Sequence, residues 1–243
     1  MEHWLSRTEL LLGNEILHYL QSKNILVVGL GGVGAYAAEH IVRSGIGTLT
    51  IVDADVYSLT NINRQLGALH STIGLNKTDV LKQRFLDINP EVKITTVKNF
   101  ISKDEIIELL NQNFDYVIDA IDTLQPKVDL AEACVRKNIP LVSSLGSGGK
   151  RDISQIQVAE IENTHSCKLG FYFRKRLHRL GIRSGFKAVF SPEVVPREAI
   201  EITEETNKVS FAGTISYMPA AYGLHCAATV INDLLKKRDD IQN

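Results

Sequence analysis

Residues 24–39, NILVVGLGGVGAYAAE, decide the fold, because a short apolar strand runs directly into a glycine-rich turn and then into a helix. Gly29, Gly31, Gly32 and Gly34 lack side chains, so backbone N–H groups there can approach a phosphate, and the helix N-terminus adds a favourable partial charge. The segment therefore predicts a nucleotide-binding unit. By itself it does not separate an ATP site from a nicotinamide or flavin dinucleotide site.

Short β-branched runs and helical patterns alternate on both sides of this unit, which predicts a parallel sheet with right-handed crossovers. Strands are predicted at 25–29, 48–53, 92–97, 115–119, 139–144 and 155–160, and helices at 34–43, 77–88, 103–110, 126–137 and 220–237. The expected fold class is α/β: a doubly wound, Rossmann-like, mostly parallel sheet with helices on both faces, plus a basic helical segment and a C-terminal helix.

Composition limits the class of protein. The chain has 243 residues, 44% of them hydrophobic and 23% charged, with a net charge of −1, which is an ordinary globular balance. Its three cysteines form no C-x-x-C pair, which argues against a structural zinc site and a disulfide scaffold. The start, MEHWLSRTELLLG, has no apolar signal-peptide region, and the charge-free run 209–232 is too polar for a membrane span. We therefore predict a cytoplasmic protein without a membrane partner.

Polar residues after the second predicted strand favour ATP over a dinucleotide. Asp53 ends that strand, where a carboxylate commonly binds ribose hydroxyls. Asn61, Arg64 and Gln65 follow, and Lys77 opens the next helix. These donors suit a triphosphate, whereas the second half of a dinucleotide needs an apolar nicotinamide pocket.

Two carboxylates lie at the end of the fourth predicted strand, in VIDAIDT. Asp122 is placed to hold Mg²⁺, which proteins bind through one or two carboxylates plus phosphate oxygens. Asp119 lies partly inside the strand and is equally suited to capping a loop.

The motifs VVGLGGVGAYAAE, IVDADVYSLTNINRQ, GLNKTDV and VIDAIDT resemble the ubiquitin-activating-enzyme-like adenylating superfamily over roughly residues 24 to 125. The resemblance implies that Asp53 binds ribose, that Asn61, Arg64, Gln65 and Lys77 contact the phosphates, and that Asp122 holds magnesium. It also implies a homodimer in which Arg7, in SRTELLLG, enters the neighbouring subunit's site.

Further motifs, including PLVSSLGSGGKRD, CKLGFYFRKRLHRLGI and GTISYMPAAYG, look like the tRNA threonylcarbamoyladenosine dehydratase family over nearly the whole chain. That resemblance implies ATP-dependent conversion of threonylcarbamoyladenosine in tRNA to its cyclic form. Lys168 and Gly170 depart from the family pattern after Cys167, so a covalent role for that cysteine is not predicted. The alternatives are adenylation of a ubiquitin-like or sulfur-carrier C-terminus, against which the missing C-x-x-C pairs weigh, a dinucleotide-dependent oxidoreductase, and a non-catalytic nucleotide sensor.

A basic segment supplies the expected RNA contact. Between Lys168 and Lys187 there are seven Lys or Arg residues and no acid, with aromatic residues interleaved. Such a segment can neutralise phosphates and stack on unpaired bases of an anticodon loop, although a solvated helix face with its aromatics in the core is the alternative.

The complete expectation is one adenylating domain, 1–243, divided into a nucleotide-binding core at 24–160, a tRNA-contact segment at 161–190 and a C-terminal helical region at 209–238. Its cofactors are ATP and Mg²⁺, and its partners are tRNA, a second copy of the chain and, as a candidate, a sulfur-transfer protein. The predicted catalytic residues are Arg7, Arg64, Lys77 and Asp122. The predicted nucleotide-binding residues are Gly29, Gly31, Gly32, Gly34, Asp53, Asp55, Asn61, Arg64, Gln65 and Lys77. The predicted tRNA-binding residues are Arg174, Lys175, Arg176, Arg179 and Arg183.

Overall fold

The computed structural model describes residues 3–202 and 210–242. Its strands are β1 (Asn24–Val28), β2 (Thr48–Val52), β3 (Lys93–Val97), β4 (Tyr116–Asp119), β5 (Leu141–Ser144), β6 (Gln157–Glu160), β7 (Lys187–Phe190), β8 (Ile200–Ile202) and β9 (Ser210–Ala212). Its α-helices are α1 (Ser6–Leu12), α2 (Asn14–Gln21), α3 (Gly34–Arg43), α4 (Lys77–Ile88), α5 (Lys103–Leu109), α6 (Leu124–Arg136), α7 (Lys168–Arg179) and α8 (Tyr217–Gln242).

Seven strands form one sheet in the order β3-β2-β1-β4-β5-β7-β6, and β8 pairs with β9 in a separate antiparallel hairpin. All neighbours in the large sheet run parallel except the last pair, β7 and β6. The strand order reverses between β1 and β4, so the two halves wind outward in opposite directions. This arrangement confirms the predicted doubly wound, mostly parallel sheet.

Successive residues of β1 point to opposite faces of the sheet, and each face carries its own core. Ile25 and Val27 belong to a core with α3, α4 and α8, whereas Leu26 and Val28 belong to a core with α5, α6 and α7. All four are buried, as expected for a parallel strand that is covered on both faces. The helices therefore lie on both faces, as predicted.

Four features depart from the predicted elements. Strand β7 was not predicted, and it inserts between β5 and β6, which are consecutive along the chain. The hairpin β8–β9 and the short helix α2 were also not predicted. The C-terminal helix covers 217–242 rather than 220–237, while Val209, the predicted start of the C-terminal region, lies outside the described residues. None of the described helices is long and apolar enough to cross a membrane.

Candidate active site

The crevice at the strand-order reversal collects most of the predicted site residues. The glycine turn follows β1, Asp53 follows β2, and Asp122 follows β4, and these three strands are adjacent and parallel. Their carboxyl ends therefore lie at one edge of the sheet. Ligands of open α/β sheets bind at such a reversal, outside the carboxyl ends of the strands.

The four glycines of the turn have two different roles. Gly29 has a φ of +89°, and a Cβ on Gly34 would lie 1.8 Å from the Gly29 carbonyl oxygen, so both positions require glycine for the turn itself. A Cβ on Gly31 would instead meet nothing closer than the Gln65 Nε2 atom, at 3.9 Å. The turn is thus closed on its inner side by Gly29 and Gly34 and open at Gly31.

The carboxylate of Asp53 connects the glycine turn to α4. It accepts hydrogen bonds from the Leu30 amide at 2.6 Å and from the Asp55 amide at 2.9 Å. The Lys77 ammonium lies 3.6 Å from Asp53 Oδ1 and 2.8 Å from Asp55 Oδ2. Burial raises the pKa of Asp53, an effect opposed by Lys77 and by the two amide donors. Lys77 is itself buried, so its charge is held at the crevice by two carboxylates.

The segment after β2 places Arg64 beside the glycine turn. A Cβ on Gly32 would approach the Arg64 Cγ atom to 3.4 Å. The guanidinium donates to the Thr60 carbonyl at 2.9 Å and to Asn63 Oδ1 at 2.8 Å. Burial lowers the pKa of Arg64, and the nearby negative charge of Asp122 opposes that shift. Arg64 and Asp122 are thus close enough for their charges to interact, although they are far apart in sequence.

Two other residues of this segment lie in different surroundings. The Asn61 side chain accepts a hydrogen bond from the Ser58 amide at 3.1 Å and caps a short 3-10 helix. Gln65 is buried, and its Oε1 atom has no hydrogen-bond partner within the described chain. The Tyr57 hydroxyl and Thr78 Oγ1 are likewise buried without a hydrogen-bond partner within the described chain. A buried polar atom without a partner is uncommon, because its desolvation is uncompensated.

Asp119 is a structural residue of the loop that carries Asp122. It is fully buried and pairs with Lys127 of α6, with 2.8 Å between Oδ2 and Nζ. It also accepts from Ser143 Oγ at 2.6 Å and from the Ile121 amide at 3.0 Å, so it does cap the loop. Asp122 is exposed at the far side of this loop. An exposed carboxylate such as Asp122 fits a magnesium ion that takes its remaining ligands from phosphate oxygens and water.

Sequence reasoning missed Lys127. A signal existed: Lys127 lies on the buried face of α6 with Leu130, Ala131 and Cys134, at helical spacing. A lysine inside an apolar stripe requires a buried acidic partner. The sequence alone does not say which of several acids that partner is.

The basic helix α7 divides its residues between core and surface. Phe173 and Leu177 are buried, while Phe171 and Tyr172 are exposed with ring centroids 5.3 Å apart. The aromatic residues of α7 are therefore divided between core and surface. Four of the five predicted tRNA-contact residues are exposed: Lys175, Arg176, Arg179 and Arg183.

Arg174 differs from those four because its guanidinium is half-buried and donates to Thr164 Oγ1 at 2.5 Å. Burial lowers the pKa of Arg174, opposed by the neighbouring Cys167. Arg176 also contacts the protein, because it donates to Gln125 Oε1 at the start of α6. The helix thus packs against the loop region that follows Asp122.

The three cysteines are buried and unpaired. Burial raises the pKa of Cys226 to about 12 and also raises that of Cys134, which fits a packing role for both thiols. Cys167 caps the N-terminus of α7, where its Sγ accepts from the Gly146 and Gly170 amides, each at 3.4 Å.

Arg7 is exposed on α1, and none of the hydrogen bonds or ion pairs resolved between described residues includes it. Its neighbours Leu10 and Leu11 are 88% and 82% exposed, which is unusual for two adjacent leucines of a helix. The structure therefore does not bring Arg7 into hydrogen-bond contact with the crevice residues of its own chain.

Comparisons with known proteins agree with this geometry. The model of the ThiF family matches residues 5–243. The tRNA threonylcarbamoyladenosine dehydratase of Bacillus subtilis is 38% identical over 244 aligned residues, covering 97% of this chain and 96% of the relative. A crystal structure of the E. coli tRNA N6-threonylcarbamoyladenosine dehydratase in complex with ATP has a TM-score of 0.89 at 33% identity, covering 97% of this chain and 95% of that one.

The sulfur-carrier branch matches less of the chain. The molybdopterin-synthase adenylyltransferase of Escherichia coli is 30% identical over 61% of this chain and 59% of its own length. The match to the dehydratases, by contrast, extends through α7 and α8. The chain therefore belongs to the ThiF family and, within it, to the tRNA threonylcarbamoyladenosine dehydratases.

Proposed function

We propose that this protein is an ATP-dependent enzyme that dehydrates threonylcarbamoyladenosine in tRNA to its cyclic form. The observation that carries the proposal is the convergence of the glycine turn, Arg64 and Lys77 at one crevice. They converge in a chain that is similar over nearly its whole length to a tRNA threonylcarbamoyladenosine dehydratase. The related structure in complex with ATP supports ATP as the nucleotide.

The chemistry needs an activated carboxylate, because hydroxide is a poor leaving group at neutral pH. An oxygen of the threonyl carboxylate attacks the α-phosphorus of ATP, and pyrophosphate leaves. The carbamoyl group then attacks the acyl carbon of the resulting mixed anhydride, loses a proton and expels AMP, which closes the ring. The second step is intramolecular, and well-oriented intramolecular attack reaches effective molarities of about 10⁵–10⁸ M.

The first step joins two anions, so the enzyme must stabilise negative charge as it develops. We assign this role to Arg64 and Lys77. Arg64 is half-buried beside the turn, and Lys77 is buried between two carboxylates, so both cations are held in place before the reaction. A cation fixed in a site of low polarity stabilises charge more strongly than a solvated one.

The nucleotide site is assigned to the open side of the glycine turn, with Asp53 for the ribose and Asp55, Asn61 and Gln65 nearby. Gln65 supports the assignment because its Nε2 group lies beside the gap above Gly31 and can donate to a phosphate. Its buried Oε1 atom has no donor within the described chain. The capping bond of Asn61 engages its Oδ1 atom, so a contact with a phosphate would come from its Nδ2 group.

We assign Mg²⁺ to Asp122. The ion would neutralise charge on the phosphate oxygens. Asp122 is suited to this role because it is exposed at the crevice and its charge acts on Arg64. Within the described residues, no group of three or more His, Cys, Asp or Glu side chains could hold a metal. Phosphate oxygens and water must therefore supply the other ligands.

The tRNA surface is assigned to α7 and the turn after it. Lys175, Arg176, Arg179 and Arg183 are exposed, and Phe171 and Tyr172 offer exposed rings beside them. Cationic side chains with interleaved aromatic rings suit an anticodon loop with unstacked bases. Arg174 has a smaller part in this surface, because its guanidinium is hydrogen-bonded to Thr164.

A homodimer completes the proposal, with Arg7 reaching the partner's site. The exposed Trp4, Leu10 and Leu11 around Arg7 support an apolar contact between subunits. We also propose the division into a core at 24–160, a tRNA-contact segment at 161–190 and a helical region at 209–238. We also propose a cytoplasmic location and a sulfur-transfer protein as a further partner.

The test is a reaction of the purified chain with ATP, magnesium and tRNA that carries threonylcarbamoyladenosine. Mass spectrometry of the digested nucleosides should detect the loss of one water from the modified adenosine, with one AMP and one pyrophosphate for each product. Unmodified tRNA is the control and should release neither. Absence of the cyclic product, together with pyrophosphate exchange driven by a carrier protein, would replace this function with the sulfur-carrier alternative.

A further inference from the structure

A cavity of about 630 Å³ lies beside the predicted nucleotide site and is not explained by it. Four separated segments form its walls: Asn63, the turn at Gly149–Arg151, the segment containing Ala199, and the residues from Gly213 to Ser216. Pockets for nucleotide-sized ligands enclose about 300–1,000 Å³, so this cavity has the size for one such molecule.

The cavity lies next to Arg64 and the glycine turn. Asn63 lines it, and the Oδ1 atom of that residue accepts from the Arg64 guanidinium at 2.8 Å. On the other side, a Cβ on Gly32 would lie 3.0 Å from Pro219, only three residues after Ser216 of the cavity wall. A molecule in the cavity therefore borders the groups that we assign to the phosphates.

Hydrogen bonds between separate segments hold the walls together. The Gly149 amide donates to the Gly213 carbonyl at 2.7 Å, and Asn63 Nδ2 donates to the Thr214 carbonyl at 3.0 Å. Gly149 has a φ of +74°, and a Cβ on it would lie 2.2 Å from Val195, so the turn requires glycine there. These bonds join three of the wall segments to one another.

The charges at the cavity suit an anion. Lys150 is buried and donates to the Ser191 carbonyl at 2.5 Å, and burial lowers its pKa. The nearby Glu193 carboxylate accepts hydrogen bonds from the Arg151 and Asp152 amides, each 2.9 Å long. Arg151 also lines the cavity with an exposed side chain, and its guanidinium has no hydrogen bond or ion pair with any described residue.

On the basis of the function proposed above, we infer that this cavity receives the acceptor nucleotide itself. The modified adenosine lies in the cavity against the wall that contains Ala199 and Thr214, with its carboxylate towards Arg64. The Arg151 guanidinium pairs with the anionic backbone of the RNA. The cavity thereby selects a single-stranded nucleotide that bears a carboxylate. A protein C-terminus would not require the cation at Arg151.

The test measures binding and turnover separately, with an anticodon stem–loop RNA that carries threonylcarbamoyladenosine and the same RNA unmodified. Ala199→Phe fills the cavity, and Arg151→Gln removes its unpaired cation. Each should raise KM for the modified RNA about tenfold or more. Ala199→Phe should also reduce the preference for binding modified over unmodified RNA, whereas Arg151→Gln should weaken the binding of both RNAs. The Kd for ATP should stay within about twofold of the wild-type value. Arg197→Gln, close in sequence but outside the cavity lining, is the matched control and should change neither.

The inference is overturned if KM for the modified RNA is unchanged in both variants, or if the affinity for ATP falls while that KM stays constant. ATP binding by each variant also verifies that it is folded, and Arg151→Gln keeps the test valid should Ala199→Phe not fold. Failure of the proposed function is distinct, because the wild-type protein would then form no cyclic product from the modified RNA.

Discussion

Lys127 of α6 pairs with Asp119 at the end of β4, and the two side chains are fully buried, with 2.8 Å between Nζ and Oδ2. The same ammonium donates to the Ile121 carbonyl at 2.9 Å and lies 5.5 Å from the centroid of the Phe173 ring of α7. One ion pair therefore joins the loop before Asp122 to the helix that we assign to tRNA.

Removal of one partner from this pair should destabilise the protein strongly. Lys127→Met leaves the Asp119 carboxylate buried without its counter-charge, which typically costs about 3–5 kcal/mol in the free energy of unfolding. Urea denaturation checks this value. The double variant Asp119→Asn with Lys127→Met should lose less than the sum of the two single variants.

Arg136→Gln is the matched control for that experiment, because 59% of the Arg136 side chain is exposed and its partner Glu132 keeps a second ion pair, with Lys103 at 2.8 Å. Its effect should stay below about 1 kcal/mol. Wild-type stability in Lys127→Met would mean that the pair is not intact in solution.

The crevice should bind ATP more tightly than NAD. Arg64 and Lys77 offer fixed positive charge beside the glycine turn, which suits a triphosphate better than the nicotinamide half of a dinucleotide. Equilibrium titration with both nucleotides in the presence of magnesium gives the two dissociation constants. A lower constant for NAD would contradict the adenylation chemistry.

Arg64→Ala and Asp122→Ala should each lower turnover by about 100-fold or more, the usual scale for the loss of one group that stabilises transition-state charge. The measurement is the initial rate of cyclic nucleoside formation at saturating ATP and tRNA. Arg43→Gln, whose ion pair with Glu39 lies outside the crevice, is the control. Turnover near the wild-type rate in a folded variant would remove that residue from the site.

The exposed face of α7 should control the affinity for tRNA. Neutralising Lys175, Arg176 and Arg179 together should weaken tRNA binding and flatten its dependence on salt, because fewer counterions are released from the phosphates. Arg174 is left intact, since its bond to Thr164 contributes to the fold. The dissociation constants for tRNA and ATP at several salt concentrations provide the measurement, and that for ATP should not change.

A second triple variant serves as the control for charge. Lys93→Gln, Lys236→Gln and Lys237→Gln also remove three exposed positive charges, but from β3 and α8. An equal loss of tRNA affinity in both triple variants would show a general charge effect rather than a surface on α7.

Subunit mixing tests the proposed contribution of Arg7. Arg7→Ala and Lys77→Ala homodimers should each be nearly inactive, because every site lacks one cation needed in the first step. A mixed dimer has one site with Lys77 from one chain and Arg7 from the other, so mixing should restore activity. Full activity of Arg7→Ala alone, or no recovery although subunits demonstrably exchange, would contradict the trans arginine.

The sequence by itself determined the sheet and the order of polar groups along its edge. Strand and helix periodicity is local, so the alternation around residues 24–39 was enough to predict a doubly wound sheet. Parallel strands bring their carboxyl ends to one edge, so the positions of Asp53 and Asp122 in the crevice followed from strand ends alone.

Only the tertiary structure decided which distant residues meet. Contacts between segments far apart in the chain decide three features. They insert β7 between β5 and β6, bury Arg174 against Thr164, and make Asp119 the partner of Lys127. The cavity beside Arg64 likewise requires four such segments. Local periodicity carries no information about these contacts, because they are selected by packing and by the need to pair each buried charge.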